Sequence, residues 1–319
     1  MPKRSASPKA GTRKTRADVE RTIADEIAGA IEAGTPPWRQ PWSGGGGGGL
    51  PLRATGEPYR GVNVLVLWMA AGRRGYASPR WLTYRQCREL GGQVRRGETG
   101  TTVVKYGTVE KEGEDGERET RPYLRAYTVF NATQADGLPE GWDLVVPPVD
   151  RGTLPDAAME AYFARLGARI ETTPEPRACY DVARDVIHMP PVATFETTAA
   201  YYETLGHEAV HLSGASHRLD RLNRCRDRAG MAFEELVAEI GQCVLHAQLG
   251  LAPSVDQSAA YVAGWLRAIR DEPRALFRAA AEAQRAVDWI TAACGDRIAP
   301  VEGETTPAMD PAPAEREPA

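Results

Sequence analysis

The segment His207-Glu208-Ala209-Val210-His211 decides the fold of the C-terminal half of this 319-residue chain. Its two histidines are four positions apart, so on a helix both imidazoles project from one face, one turn apart. The sequence from Thr194 to Ser213 contains no proline and offers an apolar side, which favours a helix. Two imidazoles so placed can hold a zinc ion, and Glu208 beside them can take a proton from a water molecule at the metal.

Two residues are candidates for a third protein ligand. His217 completes the pattern His-Glu-x-x-His-x-x-Gly-x-x-His, which metzincins use. Glu235 lies 24 residues after His211 in a segment of helical pattern, and a carboxylate from a second helix completes thermolysin-like sites. Glu239, one turn later, could orient the ring of His207 or His211 without itself binding the metal. Either choice leaves one position open for water, as in catalytic zinc sites.

The stretch from Tyr59 to Tyr106 is basic and aromatic. It has nine basic residues against two acidic ones, a local charge of 9 − 2 = +7. Single-stranded nucleic acid is bound in this way, by cations along the phosphates and by rings that stack on bases. A solvated basic face over an aromatic core would have the same composition. The side chains predicted to contact DNA are Arg60, Trp81, Tyr84, Arg85, Arg95, Arg96, Lys105 and Tyr106.

Composition limits the class of protein. An apolar content of 42% and a charged content of 26% are typical of globular proteins, and the length is sufficient for two domains. The five cysteines are scattered and form no C-x-x-C pair, which argues against disulfides and against a cysteine zinc site. No run approaches the ~20 apolar residues of a membrane span. We therefore expect a soluble, cytoplasmic protein with no membrane partner.

Breaks in the pattern divide the chain into five parts. They are a disordered basic arm (1–17), a first domain (18–138), a linker (139–154), a second domain (155–298) and a disordered tail (299–319). In the first domain the predicted elements are helices over 18–33, 62–71 and 81–90 and strands over 101–106 and 124–130. In the second they are a helix near 156–166, a hairpin over 169–189 and helices to about 293. His246 is expected in the core, Tyr261 is assigned to packing, and His188 is given no chemistry.

From about Val19 to Ile290 the chain resembles the ArdC-type antirestriction proteins. The matching stretches are Tyr59–Asn63, Trp81–Gln86, Leu90–Glu98, His207–His211, Arg218–Arg221, Glu234–Glu239, Tyr261–Leu266 and Ala280–Ala286. The resemblance implies an α+β fold, with an N-terminal α+β single-stranded-DNA-binding domain. A mainly helical, zincin-like metallopeptidase domain with a small β-sheet would follow. It also implies that the metal takes a carboxylate from Glu234–Glu239, which favours Glu235 over His217.

The expected function follows from these parts. We expect a single-stranded-DNA-binding protein with a zinc-dependent peptidase-like domain, an antirestriction or mobile-element accessory protein. Its metal ligands would be His207, His211 and Glu235, with one Zn²⁺ per chain and other divalent metals able to replace it. Its partners would be single-stranded DNA and an unidentified protein substrate or restriction-system component. The alternative is a non-enzymatic DNA-binding protein with a structural or inactive metal site, but such a site has no need of Glu208.

Overall fold

The computed structural model describes residues 15–33, 49–112, 118–142, 156–225, 227–251, 266 and 269–298. The predicted tail, most of the predicted arm and linker, and Tyr261 therefore lie outside the described residues. The first helix begins earlier than predicted. Arg16 and Ala17, assigned to the arm, form the first turn of helix α1 (Arg16–Glu32), because Thr15 and Asp18 cap it reciprocally.

The N-terminal half contains the three predicted helices and two predicted strands in the expected order, together with four short strands that were not predicted. Helix α1 buries its apolar stripe, and the second helix ends at Gly75, whose φ of +67° favours glycine. The elements after α1 are β1 (Leu52–Arg53), α2 (Val62–Arg74), β2 (Arg80–Leu82), α3 (Tyr84–Glu89), β3 (Gln93–Val94), β4 (Thr101–Glu112), β5 (Arg118–Asn131) and β6 (Ala135–Asp136). Four of these strands form a sheet in the order β1-β2-β5-β4, and β3 pairs with β6.

A long antiparallel hairpin dominates this half. Strands β4 and β5 pair in register from Thr101 opposite Val129 to Glu112 opposite Arg118, well beyond the predicted 101–106 and 124–130. Asn63 on α2 fixes the hairpin by donating to the Val104 carbonyl at 2.7 Å and accepting from the Val104 amide at 2.9 Å. The hairpin and α2 are therefore locked together by a buried amide.

The helix predicted over 81–90 is partly wrong. Trp81 and Leu82 belong to strand β2, which pairs with β5, and the helix begins only at Tyr84. Thr83 separates the two because its side chain accepts from the Gln86 amide while the Gln86 side chain accepts from Thr83, a capping box that starts the helix.

The C-terminal half is mainly helical around a small sheet. Its elements are α4 (Ala157–Ala164), β7 (Arg169–Thr172), β8 (Cys179–Asp181), β9 (Val186–Met189), α5 (Thr198–Ser213), α6 (Arg228–Gln248) and α7 (Pro273–Cys294). The predicted hairpin is corrected to three strands in the order β7-β9-β8. Strands β8 and β9 form the hairpin, whereas β7 lies parallel to β9 on its other side. Strand β8 is therefore an edge, next to α5.

Helix α7 packs on both halves of the chain. It contacts α5 and α6 on one side and α1 and α2 on the other, within one continuous core. The buried Glu20 of α1 accepts from Arg274 at 2.9 Å and from Arg16 at 2.8 Å. Arg60 also pairs with Asp288. The described halves are thus joined by apolar and ionic contacts, and no helix among the described residues is long and apolar enough to cross a membrane.

His246 lies in the core behind the metal-motif helix, as predicted. It is 2% exposed, its Nε2 lies 3.0 Å from the Tyr202 carbonyl, and its Nδ1 is 4.0 Å from Glu203. Burial lowers the pKa of His246 to about 4, and the smaller effect of the hydrogen bond to the Tyr202 carbonyl acts in the opposite direction. The folded protein therefore keeps this imidazole neutral where the unfolded chain would bind a proton.

A pH dependence of stability follows. Above pH ~6.5, the pKa of histidine in the unfolded chain, we expect His246 to have no effect on how the free energy of unfolding varies with pH. Between pH ~6.5 and pH ~4 the free energy of unfolding should fall by about 1.4 kcal/mol per pH unit, because only the unfolded chain gains a proton. Urea unfolding of wild type and His246→Leu, from pH 7 to pH 4.5, measures it. The variant should lose this part of the slope, and identical slopes would refute the assignment.

Candidate metal centre

Two helices meet closely at the motif. Helix α5 is capped by Thr197, whose side chain accepts from the Ala200 amide, and it carries His207 and His211. Helix α6 crosses it at Gly241, where an added Cβ would come within 2.9 Å of Val210. The glycine therefore permits a separation of the two helices that a larger side chain would not.

Three ligand atoms converge between these helices. The Nε2 atoms of His207 and His211 are 3.1 Å apart; the first lies 3.6 Å from Oε2 of Glu235 and the second lies 3.6 Å from Oε1 of the same carboxylate. Ligand atoms at ~2.0–2.1 Å from a tetrahedral ion lie about 3.3 Å from one another. The three separations bracket that value. These three residues form the one group of metal-ligating side chains found among the described residues.

Carboxylates on α6 also contact the outer nitrogens of both histidines. The Nδ1 of His211 lies 3.1 Å from Glu234, within hydrogen-bond distance, and the Nδ1 of His207 lies 3.7 Å from Glu239, an ion-pair distance too long for a hydrogen bond. Such contacts fix the ring orientation of metal-binding histidines and raise their basicity. The role of Glu234 was missed, since the sequence places it beside Glu235 without showing which of the two faces the metal.

Glu234 is held by a buried arginine. Arg221 is 1% exposed and donates to both oxygens of Glu234, through Nε at 2.7 Å and through Nη2 at 2.8 Å. Its Nη2 also donates to the Val210 carbonyl at 2.7 Å. An added Cβ on Gly214 would lie 2.8 Å from this guanidinium, so the glycine after α5 leaves room for it. Bidentate contact of this kind fixes both partners.

His217 lies outside the cluster. It is 58% exposed and 3.3 Å from Asp185, which Arg218 binds at 2.7 and 2.9 Å. The hydrogen bonds from Arg218 lower the pKa of Asp185 to about 2, with burial opposing and Tyr180 assisting. The geometry thus groups Glu235, and not His217, with the motif histidines.

The electrostatics of the cluster suit a cation. Burial opposes protonation of His207, yet the nearby carboxylate of Glu235 and the charges of Glu239 and Glu208 outweigh it and raise the pKa of His207 to about 9. Burial likewise works against ionisation of Glu235, but the hydrogen bond to His207 and the charge of His211 leave its pKa lowered. A divalent metal can replace the proton that these carboxylates attract.

Glu208 lies beside the ligand cluster rather than in it. Glu208 is 7% exposed, and its charge helps to raise the pKa of His207 and, after burial, that of the Cys179 thiol on strand β8. This is the placement expected of a proton acceptor next to a metal, as opposed to a ligand.

The side chains predicted to contact DNA have varied surroundings. Trp81 is completely buried, with its ring 5.8 Å from that of Tyr76, so the prediction that it stacks on bases is wrong. Its place in the central strand β2 explains the burial. Three of the arginines form ion pairs with acidic side chains: Arg60, Arg85 and Arg95. Tyr106 contacts helices α1 and α7. The remaining three side chains are exposed: Tyr84, Arg96 and Lys105.

Comparison with known proteins agrees with this architecture. Residues 17–130 match the family described as the N-terminal domain of anti-restriction factor ArdC, and residues 157–282 match a zincin-like metallopeptidase family. A crystal structure of the antirestriction ArdC protein from R388 plasmid, metal-free, is 53% identical with a TM-score of 0.80, over 88% of this chain and 99% of that one. The chain belongs to the ArdC antirestriction family.

Other relatives extend the comparison. An Mn(II)-bound structure of the same ArdC protein from R388 has a TM-score of 0.76, over 87% of this chain and 98% of that one. The uncharacterized protein y4eC of Sinorhizobium fredii is 38% identical over 89% of this chain and 95% of its own length. DNA primase TraC of Escherichia coli is 36% identical over 85% of this chain but only 27% of its own length. The α+β fold with a zincin-like C-terminal domain is thus confirmed.

Proposed function

We propose that this ArdC-family protein binds single-stranded DNA through its N-terminal half and hydrolyses peptide bonds at a divalent-metal site in its C-terminal half. The observation that carries the enzymatic part is the convergence of His207, His211 and Glu235, with Glu208 beside them. A structural metal site would be closed by a fourth protein ligand. Three ligands with an adjacent carboxylate favour catalysis instead.

The donor set fits a divalent cation, which both histidines and Glu235 would hold. When bound, such an ion polarises a substrate carbonyl and a water molecule. Two nitrogens and one carboxylate oxygen suit zinc, which we propose at one ion per chain. The Mn(II)-bound ArdC structure supports other divalent ions as occupants.

The chain's own residues supply the proton transfers. Glu208 takes a proton from the attacking water at its carboxylate and passes it to the leaving amine, which requires the ionised form at the start. Glu234, hydrogen-bonded to the outer nitrogen of His211, and Glu239, close to that of His207, would orient the two rings for metal binding through Nε2. The test is cleavage of a protein substrate that stops on chelation and is absent in Glu208→Gln.

The partners follow from family membership. The matched ArdC protein is described as antirestriction, and we propose the same role here, with a restriction-system component or another protein as the peptidase substrate. If no protein is cleaved while DNA binding and metal content are normal, the site is inactive and the alternative of a non-enzymatic DNA-binding protein holds.

DNA binding is expected to be independent of the metal. The full-length protein should bind single strands with little sequence preference, more tightly than duplex, and with an affinity that falls steeply with salt, because each neutralised phosphate adds ~0.7 to the slope of log affinity against log salt. Chelation should leave this unchanged, since every proposed ligand follows residue 206. Fluorescence anisotropy at several salt concentrations measures it.

Two results would count against this assignment. One is loss of DNA binding on chelation, which would place the site at the metal. The other is tighter binding of duplex than of single strand at equal salt. The full chain is required here because α7 covers part of α1, and Glu20 would lose its partner Arg274 in a fragment.

A further inference from the structure

A large cleft lies between α1, the C-terminal end of α2 and the β4–β5 hairpin. Its volume is about 1210 Å³, beyond the ~300–1,000 Å³ usual for small-molecule pockets. As far as the structure describes the chain, its walls include no proposed metal ligand and none of the eight side chains predicted from sequence to contact DNA. Its size suits a segment of a polymer.

The cleft is basic. Arginines from three separate elements line it: Arg16 from α1, Arg73 and Arg74 from α2, and Arg125 from β5. Among the described residues of the wall, the one acidic side chain is Glu26. An excess of guanidinium groups in a concave surface attracts anions and favours phosphates in particular.

The guanidinium groups are oriented mainly by neutral partners. Arg73 donates to the Glu26 main-chain carbonyl at 3.3 Å, and Arg74 donates to the Thr99 carbonyl at 2.5 Å. Backbone carbonyls fix the position of a cation without cancelling its charge. Among the described residues, no ion pair joins Arg73 or Arg125 to an acid, and Arg125 is exposed.

The positive charges of the other two cleft arginines, Arg16 and Arg74, are partly offset by nearby acids. Arg16 is 2.8 Å from Glu20. Arg74 is close enough to Glu98 to contribute to its lowered pKa, after the hydrogen bond from Gln134. The cations free to meet a phosphate are therefore chiefly those at the end of α2 and on β5.

An aromatic ring and several hydroxyl groups complete the wall. Tyr123 is 36% exposed, and its ring lies over Gly107, where an added Cβ would come within 2.5 Å of it. The glycine thus leaves space for the ring against the hairpin. Exposed Thr99 and Thr102 offer hydroxyl groups along the cleft, of a kind that often donates to phosphates.

We propose that this cleft, rather than the surface predicted from sequence, holds the single-stranded DNA. Arg73, Arg74 and Arg125 contact phosphates, and Tyr123 stacks on a base. The inference rests on the proposed DNA-binding function and gives that function a site. Duplex DNA is excluded from the stacking contact because its bases already stack on one another.

The test titrates the full-length protein into a fluorescent oligothymidylate at several salt concentrations. Arg73→Ala/Arg74→Ala should lose about 25-fold in affinity at 0.1 M salt and reduce the salt slope by ~1.4, as two phosphate contacts are removed. Arg125→Ala should lose about fivefold by the same reasoning. Tyr123→Leu should lose about tenfold with the slope unchanged, since stacking displaces no ions.

Two further variants serve as comparisons. Arg85→Ala/Arg96→Ala removes the same number of charges from the surface predicted by sequence, and Arg184→Ala/Arg228→Ala removes them from exposed sites in the C-terminal half. Both should bind nearly as wild type does. Thermal unfolding checks each variant's fold. Arg125→Ala is the safest cleft variant, since no hydrogen bond or ion pair of the described residues depends on it.

The outcomes separate the inference from the function on which it rests. Wild-type affinity in the folded cleft variants, with loss in Arg85→Ala/Arg96→Ala, would overturn the cleft and restore the predicted surface. A wild-type protein that binds no single strand would refute the DNA-binding function itself.

Discussion

Glu208→Gln is expected to retain the bound metal while peptide hydrolysis falls by about 10²–10⁴-fold, the usual contribution of a positioned general base. Glutamine keeps the shape of the buried side chain but cannot accept the proton of the attacking water. Metal content by mass spectrometry and initial rates on one protein substrate are the two measurements. The ion should be present at the same stoichiometry as in wild type.

Glu196→Gln is the matched control. It makes the same change in charge at an exposed position just before α5, outside the site. Its rate should equal that of wild type. If Glu208→Gln cleaves a cognate substrate as fast as both, the proposed hydrolytic mechanism is wrong, whatever the metal content.

Arg221→Ala is expected to destabilise the fold by about 3–5 kcal/mol, because it leaves Glu234 buried without its cation. Glu234 is 4% exposed and would also lose the contacts that aim it at His211. Metal affinity should then fall by about 10–100-fold. Urea unfolding in the presence of a chelator isolates the stability effect, since bound metal would add its own stabilisation.

Arg224→Ala tests the specificity of this effect. Arg224 is 63% exposed and 3.7 Å from Glu282, so its loss should cost below about 1 kcal/mol and leave metal affinity unchanged. Equal destabilisation by the two variants would show that Arg221 does not act through the buried pair.

The sequence was most informative where one local pattern carries the whole geometry. The four-residue spacing of His207 and His211 requires only that the segment be helical, and α5 satisfies it. Glu235 could be proposed because a helical segment places it opposite the motif. The family resemblance added the domain order, which the comparisons confirm.

The features that could not be predicted from the sequence depend on packing between elements that are distant along the chain. Arg221 and Glu234 meet only because the turn after α5 folds back onto α6, so neither residue stood out beforehand. The basic, aromatic composition around Trp81 predicted that its ring stacks on DNA bases, but Trp81 lies in a strand that pairs with β5 and is completely buried. The domain boundaries remain predictions, and one late helix, α7, packs into the core of both halves.

The most direct test of the account is metal content in single variants of the full-length protein, purified alike and loaded separately with zinc and with manganese. Wild type and His217→Ala should each hold about one ion per chain. His207→Ala, His211→Ala and Glu235→Ala should hold little, because each removes one of the three converging ligand atoms. Full metal content in Glu235→Ala together with loss in His217→Ala would contradict the proposed site and favour the three-histidine alternative.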